Sequence, residues 1–317
     1  TVIVTVLNEE KTIVRLLTAL LEQTTPPTEV IITDGGSKDR TVELIQNFGA
    51  EHPRFPLKVI YQKGNRSIGR NKAIELSRTE LIAITDAGCV PHKEWLAELL
   101  VAYQTAVKNP KQNSTNEIVV AGYYDAIATT DLQRAIVPYV LVMPDQIDPD
   151  HFLPATRSML LTKTLWQSLG GFDLDLNDNE DYAFAHKILR SNKQIIFAEK
   201  ARVSWLPPER LEHFCRMIFR FARGDVYAGI LRKRVVALFG RYLVGVVTVG
   251  LLWWLFSPVF SFGFVVVGLS IYLCWAVAKN ARYVGKAWYW LPILQLTADG
   301  AVMWGSLVGG FNRLFAQ

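Results

Sequence analysis

Three acidic stretches, Asp34-Gly35-Gly36-Ser37, Asp86-Ala87-Gly88 and Asn179-Glu180-Asp181, hold the residues of this chain best suited to chemistry. Asp34 ends an apolar run, where its carboxylate can accept a hydrogen bond from the imide nitrogen of a uracil-like base, and the two glycines let backbone approach a ligand closely. The same four residues also read as a turn with a helix cap. Asp86 follows the apolar run Leu81–Thr85. A carboxylate there can hold a magnesium or manganese ion bridging two phosphates, since such ions take one or two carboxylates and complete their shell with water and substrate oxygens. It can equally cap a helix starting at Pro91. Glu180 and Asp181 open a stretch with helical apolar spacing. A carboxylate in that place can act as general base towards an acceptor hydroxyl, or the pair can simply complement a helix dipole. Base recognition, phosphate neutralisation and hydroxyl deprotonation are the three tasks of transfer from a nucleotide-activated donor. The order of the motifs and their strand-end placement carry the reading.

The elements that must position these residues follow from periodicity. Val2–Leu7 is β-branched and apolar, and Asn8 is placed to cap a helix whose Ile13, Leu16, Leu17, Leu20 and Leu21 share a face. Glu29–Thr33, Leu57–Tyr61 and Leu81–Thr85 read as further strands, alternating with helices over Thr41–Phe48 and Arg70–Ser77. Strand and helix in alternation is the rhythm of a parallel α/β sheet, which binds ligands beyond the carboxyl ends of its strands. Asp34 and Asp86 fall at two such ends. Later in the chain, Ile118–Tyr124, Ser158–Thr162 and Val203–Trp205 read as strands and Tyr182–Arg190 as a helix. Pro207-Pro208 stops the last strand, and an Arg-rich helix follows over Leu211–Leu231.

Half of the 317 residues are hydrophobic, and the apolar excess lies at the end of the chain. Tyr242–Phe256 and Val259–Ala278 are apolar runs split by Ser257-Pro258. A spanning helix needs about 20 residues; the second run suffices, and the first reaches that length by starting near Val235 and tolerating Arg241. Arg232, Lys233 and Arg234 precede the pair and Lys279, Arg282 and Lys286 follow it, which places both outer ends in the cytoplasm. Ala287–Phe311, with Pro292 and Asp299 inside it, is long enough either to span or to lie at the interface. The expected organisation is a catalytic domain over residues 1–231 and a multi-pass membrane region over residues 232–317. Cys89, Cys215 and Cys274 are odd in number and far apart, against a disulfide scaffold or zinc site. A net charge of +5 on a chain this long, with the basic excess beside apolar segments, points to membrane lipids and not to nucleic acid. The chain opens inside a strand-like run without methionine, so leading residues are expected before Thr1.

The runs Val4-Thr5-Val6-Leu7-Asn8-Glu9-Glu10, Asp34-Gly35-Gly36-Ser37, Gly69-Arg70-Asn71, Thr85-Asp86-Ala87-Gly88, Gly170-Gly171-Phe172 and Glu180-Asp181 together resemble glycosyltransferase family 2, in its small membrane-anchored form. The resemblance implies a GT-A fold, that is, a Rossmann-like mixed α/β sheet, followed here by C-terminal transmembrane helices. It implies an inverting transfer from a nucleotide-diphosphate sugar, such as a UDP-sugar, with a divalent cation. Thr5, Glu9, Asp34 and Arg70 would then line the nucleotide pocket, Asp86 would hold the metal beside the donor, and Asp181 would be the base, with Glu180 as its neighbour. The family's metal motif ends in a second Asp where this chain has Gly88. Near the membrane, Arg220-Phe221-Ala222-Arg223-Gly224-Asp225 stands where processive synthases carry Q-x-x-R-W. Arg220 or Arg223 could pair with the diphosphate there, or lie on anionic headgroups. Arg157 and Ser158 are assigned to the acceptor side, and Trp205, Trp288 and Trp290 to sugar stacking or an interfacial belt.

Other classes fit less well. The dinucleotide fingerprint and the phosphate-loop motif are both absent. A non-catalytic membrane scaffold retaining a transferase fold is the alternative, and Asp299 alone hints at transport. The expected acceptor is a lipid-linked or surface glycan at the cytoplasmic face.

Overall fold

A computed structural model describes residues 1–109 and 117–315. The chain divides into two compact units, one of Thr1–Ile127 with Val142–Leu206 and one of Ala128–Leu141 with Pro207–Gln317. Residues 128–141 and 207–231, grouped with the catalytic region in the sequence reading, pack within the second unit.

The first unit is built on a mixed eight-stranded sheet. In chain order its strands are β1 (Val2–Val6), β2 (Val30–Asp34), β3 (Leu57–Tyr61), β4 (Leu81–Ile84), β5 (Cys89–Pro91), β6 (Ile118–Ala126), β7 (Met159–Thr162) and β8 (Gln194–Trp205), in the spatial order β3-β2-β1-β4-β7-β6-β8-β5. The first four strands are mutually parallel, as their alternation with α1 (Ile13–Leu21), α2 (Thr41–Glu51) and α3 (Arg66–Leu76) requires. Sheets covered on both faces need strands that are apolar throughout, and every residue of β2 is buried. Helix α4 (Trp95–Lys108) follows β5, so no helix begins at Pro91 for Asp86 to cap. Beyond β4 the pairing turns antiparallel through β7.

Two departures from the expected elements bear on the site. Asn8 does not cap α1, which starts at Ile13 behind Thr12. Instead Asn8 takes up a left-handed backbone, φ 56°, and its Oδ1 accepts Lys38 N at 2.8 Å, while its own N–H donates to Ser37 Oγ at 2.9 Å. These bonds lace the loop after β1 to the loop after β2. Helix α3 begins four residues earlier than its apolar spacing suggests, because Asn65 caps it by accepting Ile68 N at 3.0 Å.

Helix α3 lies close on the sheet. A Cβ on Gly69 would stand 2.9 Å from both Thr33 Oγ1 and Thr5 Cγ2, so only glycine lets the helix approach β1 and β2 this far. Asn71 then ties α3 to the loop before α7 (Glu180–Arg190): its Oδ1 accepts Phe172 N at 2.9 Å and Trp166 Nε1 at 3.0 Å, and its Nδ2 donates to Phe172 O at 2.8 Å. Trp166 lies on α6 (Lys163–Ser168). Gly171 bends the loop at φ 68°, where an added Cβ would also meet Asn71 Oδ1 at 3.0 Å. Phe172 stacks on Phe184 of α7 with ring centroids 4.3 Å apart.

The second unit holds α5 (Asp131–Val140), α8 (Leu211–Tyr227), α9 (Lys233–Leu255), α10 (Pro258–Val284) and α11 (Leu291–Phe315). Helix α9, and the run from Pro258 through Phe315, are long and apolar enough to cross a membrane. The turn from α8 to α9 is fixed by a bidentate pair, Arg232 Nε to Asp225 Oδ2 at 2.5 Å and Nη2 to Oδ1 at 2.8 Å. Asp299 is buried in α11, where it accepts Tyr242 OH at 2.9 Å, Arg241 Nη2 at 3.3 Å, Gln295 Nε2 at 2.9 Å and the Tyr272 hydroxyl. An acid in an apolar segment is thereby given a counter-ion and three further donors, the arrangement expected of a structural tie between helices.

Asn71→Ala removes three hydrogen bonds and leaves the Phe172 backbone groups and the Trp166 indole without partners. The expected loss is about 2–3 kcal/mol, read as a lower midpoint in chemical denaturation of the full chain, with retained helical content.

Candidate active site

Arg70 gathers the site. Its side chain is 2% exposed; Nη1 donates to Glu180 Oε1 at 2.5 Å, and Nη2 to Asp86 Oδ1 at 2.9 Å and Thr156 Oγ1 at 3.0 Å. The guanidinium also lies 5.6 Å from the centroid of the Phe172 ring. Burial alone would lower its pKa, but Glu180 and then Asp86 hold it above the ordinary arginine value. A buried cation is tolerable only with such partners.

The sheet brings these groups together. Antiparallel pairing of Ile84 with Met159 sets the residues just after β4 beside those just before β7. Thr85 Oγ1 accordingly donates to Arg157 O at 2.9 Å, and Thr156 Oγ1 to Asp86 Oδ2 at 3.4 Å. Cys89 of β5 pairs with Trp205 of β8, and Trp205 with Ala126 of β6, so Trp205 and Tyr124 share a face. The Arg157 guanidinium lies over both rings, 5.2 Å from the centroid of Tyr124 and 5.4 Å from that of Trp205.

The carboxylates differ in environment. Asp86 is 32% exposed, against 3% for Glu180, so Glu180 is spent on Arg70 while Asp86 keeps an open side. Burial would push the Asp86 carboxyl up, but Arg70, then Arg157 and Arg66, hold it below the usual carboxylate range. Asp181, partly buried at the start of α7, is pushed up by burial first and by the charge of Glu180 second, with Arg70 opposing. Of the adjacent pair, Asp181 is the one left open with a raised pKa, the condition suited to a base.

Thr5, Asp34 and Glu9, which the sequence reading assigned to a nucleotide, lie at or just beyond the carboxyl ends of β1 and β2. Thr5 lies on β1 against Gly69 of α3. Asp34 is buried, and its carboxylate accepts Gly36 N and Ser37 N, each at 3.1 Å. The turn reading of Asp-Gly-Gly-Ser is therefore realised, although the helix it precedes starts only at Thr41. Glu9 accepts Thr12 Oγ1 at 2.7 Å, and burial pushes its carboxyl up, with Thr12 and Arg66 opposing.

Three further assigned residues are Ser158, Arg220 and Arg223. Ser158 is fully buried, accepting Trp95 Nε1 at 2.8 Å and donating to Ala201 O at 3.1 Å. Its hydroxyl holds α4 and β8 to the start of β7 and does not join the cluster. Arg220 and Arg223 lie on α8 in the second unit, where the Arg223 guanidinium covers the Phe219 and Tyr227 rings at 5.6 and 5.9 Å. Thr156, Tyr124 and Arg66 escaped the sequence reading. Arg66 had a signal, as the first helical residue after a capping Asn. Tyr124 had none, because an aromatic in an apolar run reads as core.

Among the described residues no three His, Cys, Asp or Glu side chains cluster as a metal cage. Within the Arg70 cluster, Asp86 is the carboxylate that is held below the usual range and keeps about a third of its side chain exposed, which suits a cation whose other ligands are phosphate oxygens and water. Nothing lies within 4 Å of a Cβ built on Gly88.

The glycosyl transferase family 2 model matches residues 1–110. The chain is 33% identical over 255 residues to the glycosyltransferase AglE of Haloferax volcanii, covering 77% of this chain and 80% of that protein. It is 29% identical over 126 residues to the glycosyltransferase GlyG of Streptococcus pneumoniae, covering 39% of this chain and 38% of that one. Among solved structures, the mannosyltransferase PcManGT from Pyrobaculum calidifontis, in complex with GDP-Man and Mn2+, superposes with a TM-score of 0.57 at 18% identity, covering 100% of this chain and 87% of that one.

Because the space at Gly88 is open, Gly88→Asp supplies a second acid without steric cost. It should tighten Mn2+ binding on the order of tenfold, measured by titration of free Mn2+ with its paramagnetic signal. Unchanged affinity would mean that Asp86 and residue 88 do not face a common ion.

Proposed function

The chain is a GT-A-folded glycosyltransferase that belongs to glycosyltransferase family 2, and we propose that it transfers a sugar, with inversion, from a nucleoside-diphosphate donor to a lipid-linked or surface-glycan acceptor. The observation that carries the proposal is the division of labour around Arg70. One carboxylate is spent on the buried guanidinium, one is held ionised with an open side, and one is left open with its pKa raised.

In this reading Thr5, Glu9, Asp34 and Arg70 bound the nucleotide pocket, with a UDP-sugar as the expected donor. The complex of PcManGT with GDP-Man and Mn2+ supports a nucleotide sugar and a divalent cation in general terms. Asp86 would hold the cation, which, when bound, offsets charge on the departing diphosphate. Asp181 takes the proton of the acceptor hydroxyl as that oxygen attacks the anomeric carbon opposite the diphosphate. The bond from carbon to diphosphate oxygen breaks, and the configuration inverts. Arg157, over Tyr124 and Trp205, supplies a cation and an aromatic wall on the acceptor side. Helices α9 and α10 anchor the enzyme as a multi-pass membrane protein, with the catalytic unit on the cytoplasmic side that Arg232, Lys233, Arg234, Lys279, Arg282 and Lys286 favour.

A panel of UDP-, GDP- and other nucleotide sugars, scored for nucleotide release with membrane extract as acceptor, tests the activity. Asp181→Asn should lower kcat by roughly 10²–10⁴-fold while donor affinity stays near normal, the range for loss of a general base. Turnover close to wild type would remove Asp181 from the role. The pH profile gives an independent sign. Glu180 helps to hold the Asp181 carboxyl up, so Glu180→Gln should move the acidic limb of kcat to lower pH. A limb that stays in place or moves up would contradict Asp181 as the titrating base.

A further inference from the structure

Helices α9 and α10 carry no Asp or Glu between them, yet they gather cations towards the end where α9 begins and α10 finishes. Arg234, Leu238 and Arg241 recur at i, i+4 and i+7, so they share one face of α9, and Leu238 is buried there. Tyr272, Trp275 and Lys279 recur in the same way along α10.

The two faces meet. The Arg241 guanidinium lies 4.5 Å from the Tyr272 ring centroid and 5.9 Å from that of Trp275. The Lys279 ammonium lies 5.2 Å from the same Trp275 centroid and 5.7 Å from that of Tyr139 on α5. Seven residues separate Arg241 from Arg234, and seven separate Tyr272 from Lys279. That is about 10 Å along each helix, and because the hairpin runs antiparallel it sets Arg234 level with Lys279.

These charges are not balanced within the protein. Asp299 accepts Arg241 Nη2 at 3.3 Å and divides its oxygens among Tyr242, Tyr272 and Gln295 as well. Among the described residues, neither Arg234 nor Lys279 has a carboxylate or another acceptor within hydrogen-bond distance. Arg234 and Arg241 repel the Lys279 charge, and Asp299 offsets only part of that. Aromatic rings steady a cation through their faces but take none of its hydrogen bonds. The unmet donors call for an anion.

Depth decides which anion. A helix crosses the hydrocarbon in about 20 residues, and counted from Pro258 that stretch ends near Val277. Trp275 then lies at the interfacial belt, with Lys279 and Arg234 among the head groups. We infer that Arg234 and Lys279, walled by Trp275 and Tyr139, form a site for the phosphate of an anionic bilayer phospholipid. Arg234, Trp275 and Lys279 are all exposed, so the site opens directly onto bulk lipid, and exposed Val267 and Ile271 line the way for its acyl chains. Basic pockets between helices on the cytoplasmic side hold lipid phosphates in this manner. A zwitterionic head group would bring its own cation against the arginine and lysine. The inference rests on the reading above that α9 and α10 span the membrane.

Lipid binding to the full-length chain in detergent, followed by native mass spectrometry, tests the site without recourse to turnover. Phosphatidylglycerol should bind at one preferred site per chain and more tightly than phosphatidylcholine. Lys279→Gln should weaken it about fivefold, and Lys279→Gln with Arg234→Gln roughly 25-fold, the contribution of one and two cations near a head group. Lys279→Arg, which keeps the charge, should keep the affinity; a loss shared by that variant would indicate damage to the hairpin and overturn the inference. Lys286→Gln removes an equal charge from the exposed turn at 285–290 and should change binding less than about twofold. Equal losses for Lys286→Gln and Lys279→Gln would show a diffuse basic surface with no site. Equal binding of the two phospholipids would sink the proposal too. Displacement of phosphatidylglycerol by a prenyl phosphate at a tenth of its concentration would reassign the site to a lipid-linked substrate and overturn the bilayer-lipid assignment.

Discussion

Burying the Arg70 guanidinium is the interaction on which the catalytic unit depends. Taking a cation out of water costs several kcal/mol unless its charge and donors are met. Here they are met by Glu180, Asp86 and Thr156 from three separate segments. The bond network therefore fixes the start of α7, the end of β4 and the approach to β7 relative to α3. Gly69 sets the depth of that helix on the sheet, and Asn71 pins the loop that carries Phe172 beneath the guanidinium. Consecutive residues 69, 70 and 71 each serve the same end.

The same network separates the chemistry of its acids. Four carboxylates, Glu9, Asp86, Glu180 and Asp181, share the neighbourhood with Arg66, Arg70 and Arg157. Since the cations are unevenly placed, Asp86 is held down while Glu9 and Asp181 are pushed up. Opposed shifts in one site let one carboxylate remain a charged ligand while another accepts a proton. An aspartate at position 88 would add a fifth negative charge; with glycine there, the arginines carry a larger share of the counter-charge near Asp86.

In the second unit the organising feature is again a polar group in an apolar setting. Asp299 draws Arg241, Tyr242 and Tyr272 from α9 and α10 onto α11. Asp225 and Arg232 fix the turn from which α9 departs. Both ties centre on an aspartate, little exposed, with an arginine partner. The acid that hinted at transport on sequence grounds is accounted for by these helix contacts.

Local pattern in the sequence already determined the parallel β-α alternation, the strand ends bearing Asp34 and Asp86, the apolar C-terminal helices and the ordered family motifs. Periodicity and capping act within a few residues, so they are legible without the fold. What the fold alone decided lies between distant segments. That Glu180 serves Arg70 while Asp181 stays open depends on a contact across 110 residues of chain. Ser158, adjacent to Arg157, is in the core because Trp95 and Ala201, far off in sequence, close over its hydroxyl. Asn8 laces two loops instead of capping a helix, because Ser37 and Lys38 reach it only once β1 and β2 have paired. The difference has one physical cause. Backbone preference is set by neighbouring residues, but the state of a polar or charged side chain is set by whatever packing brings against it after water is removed.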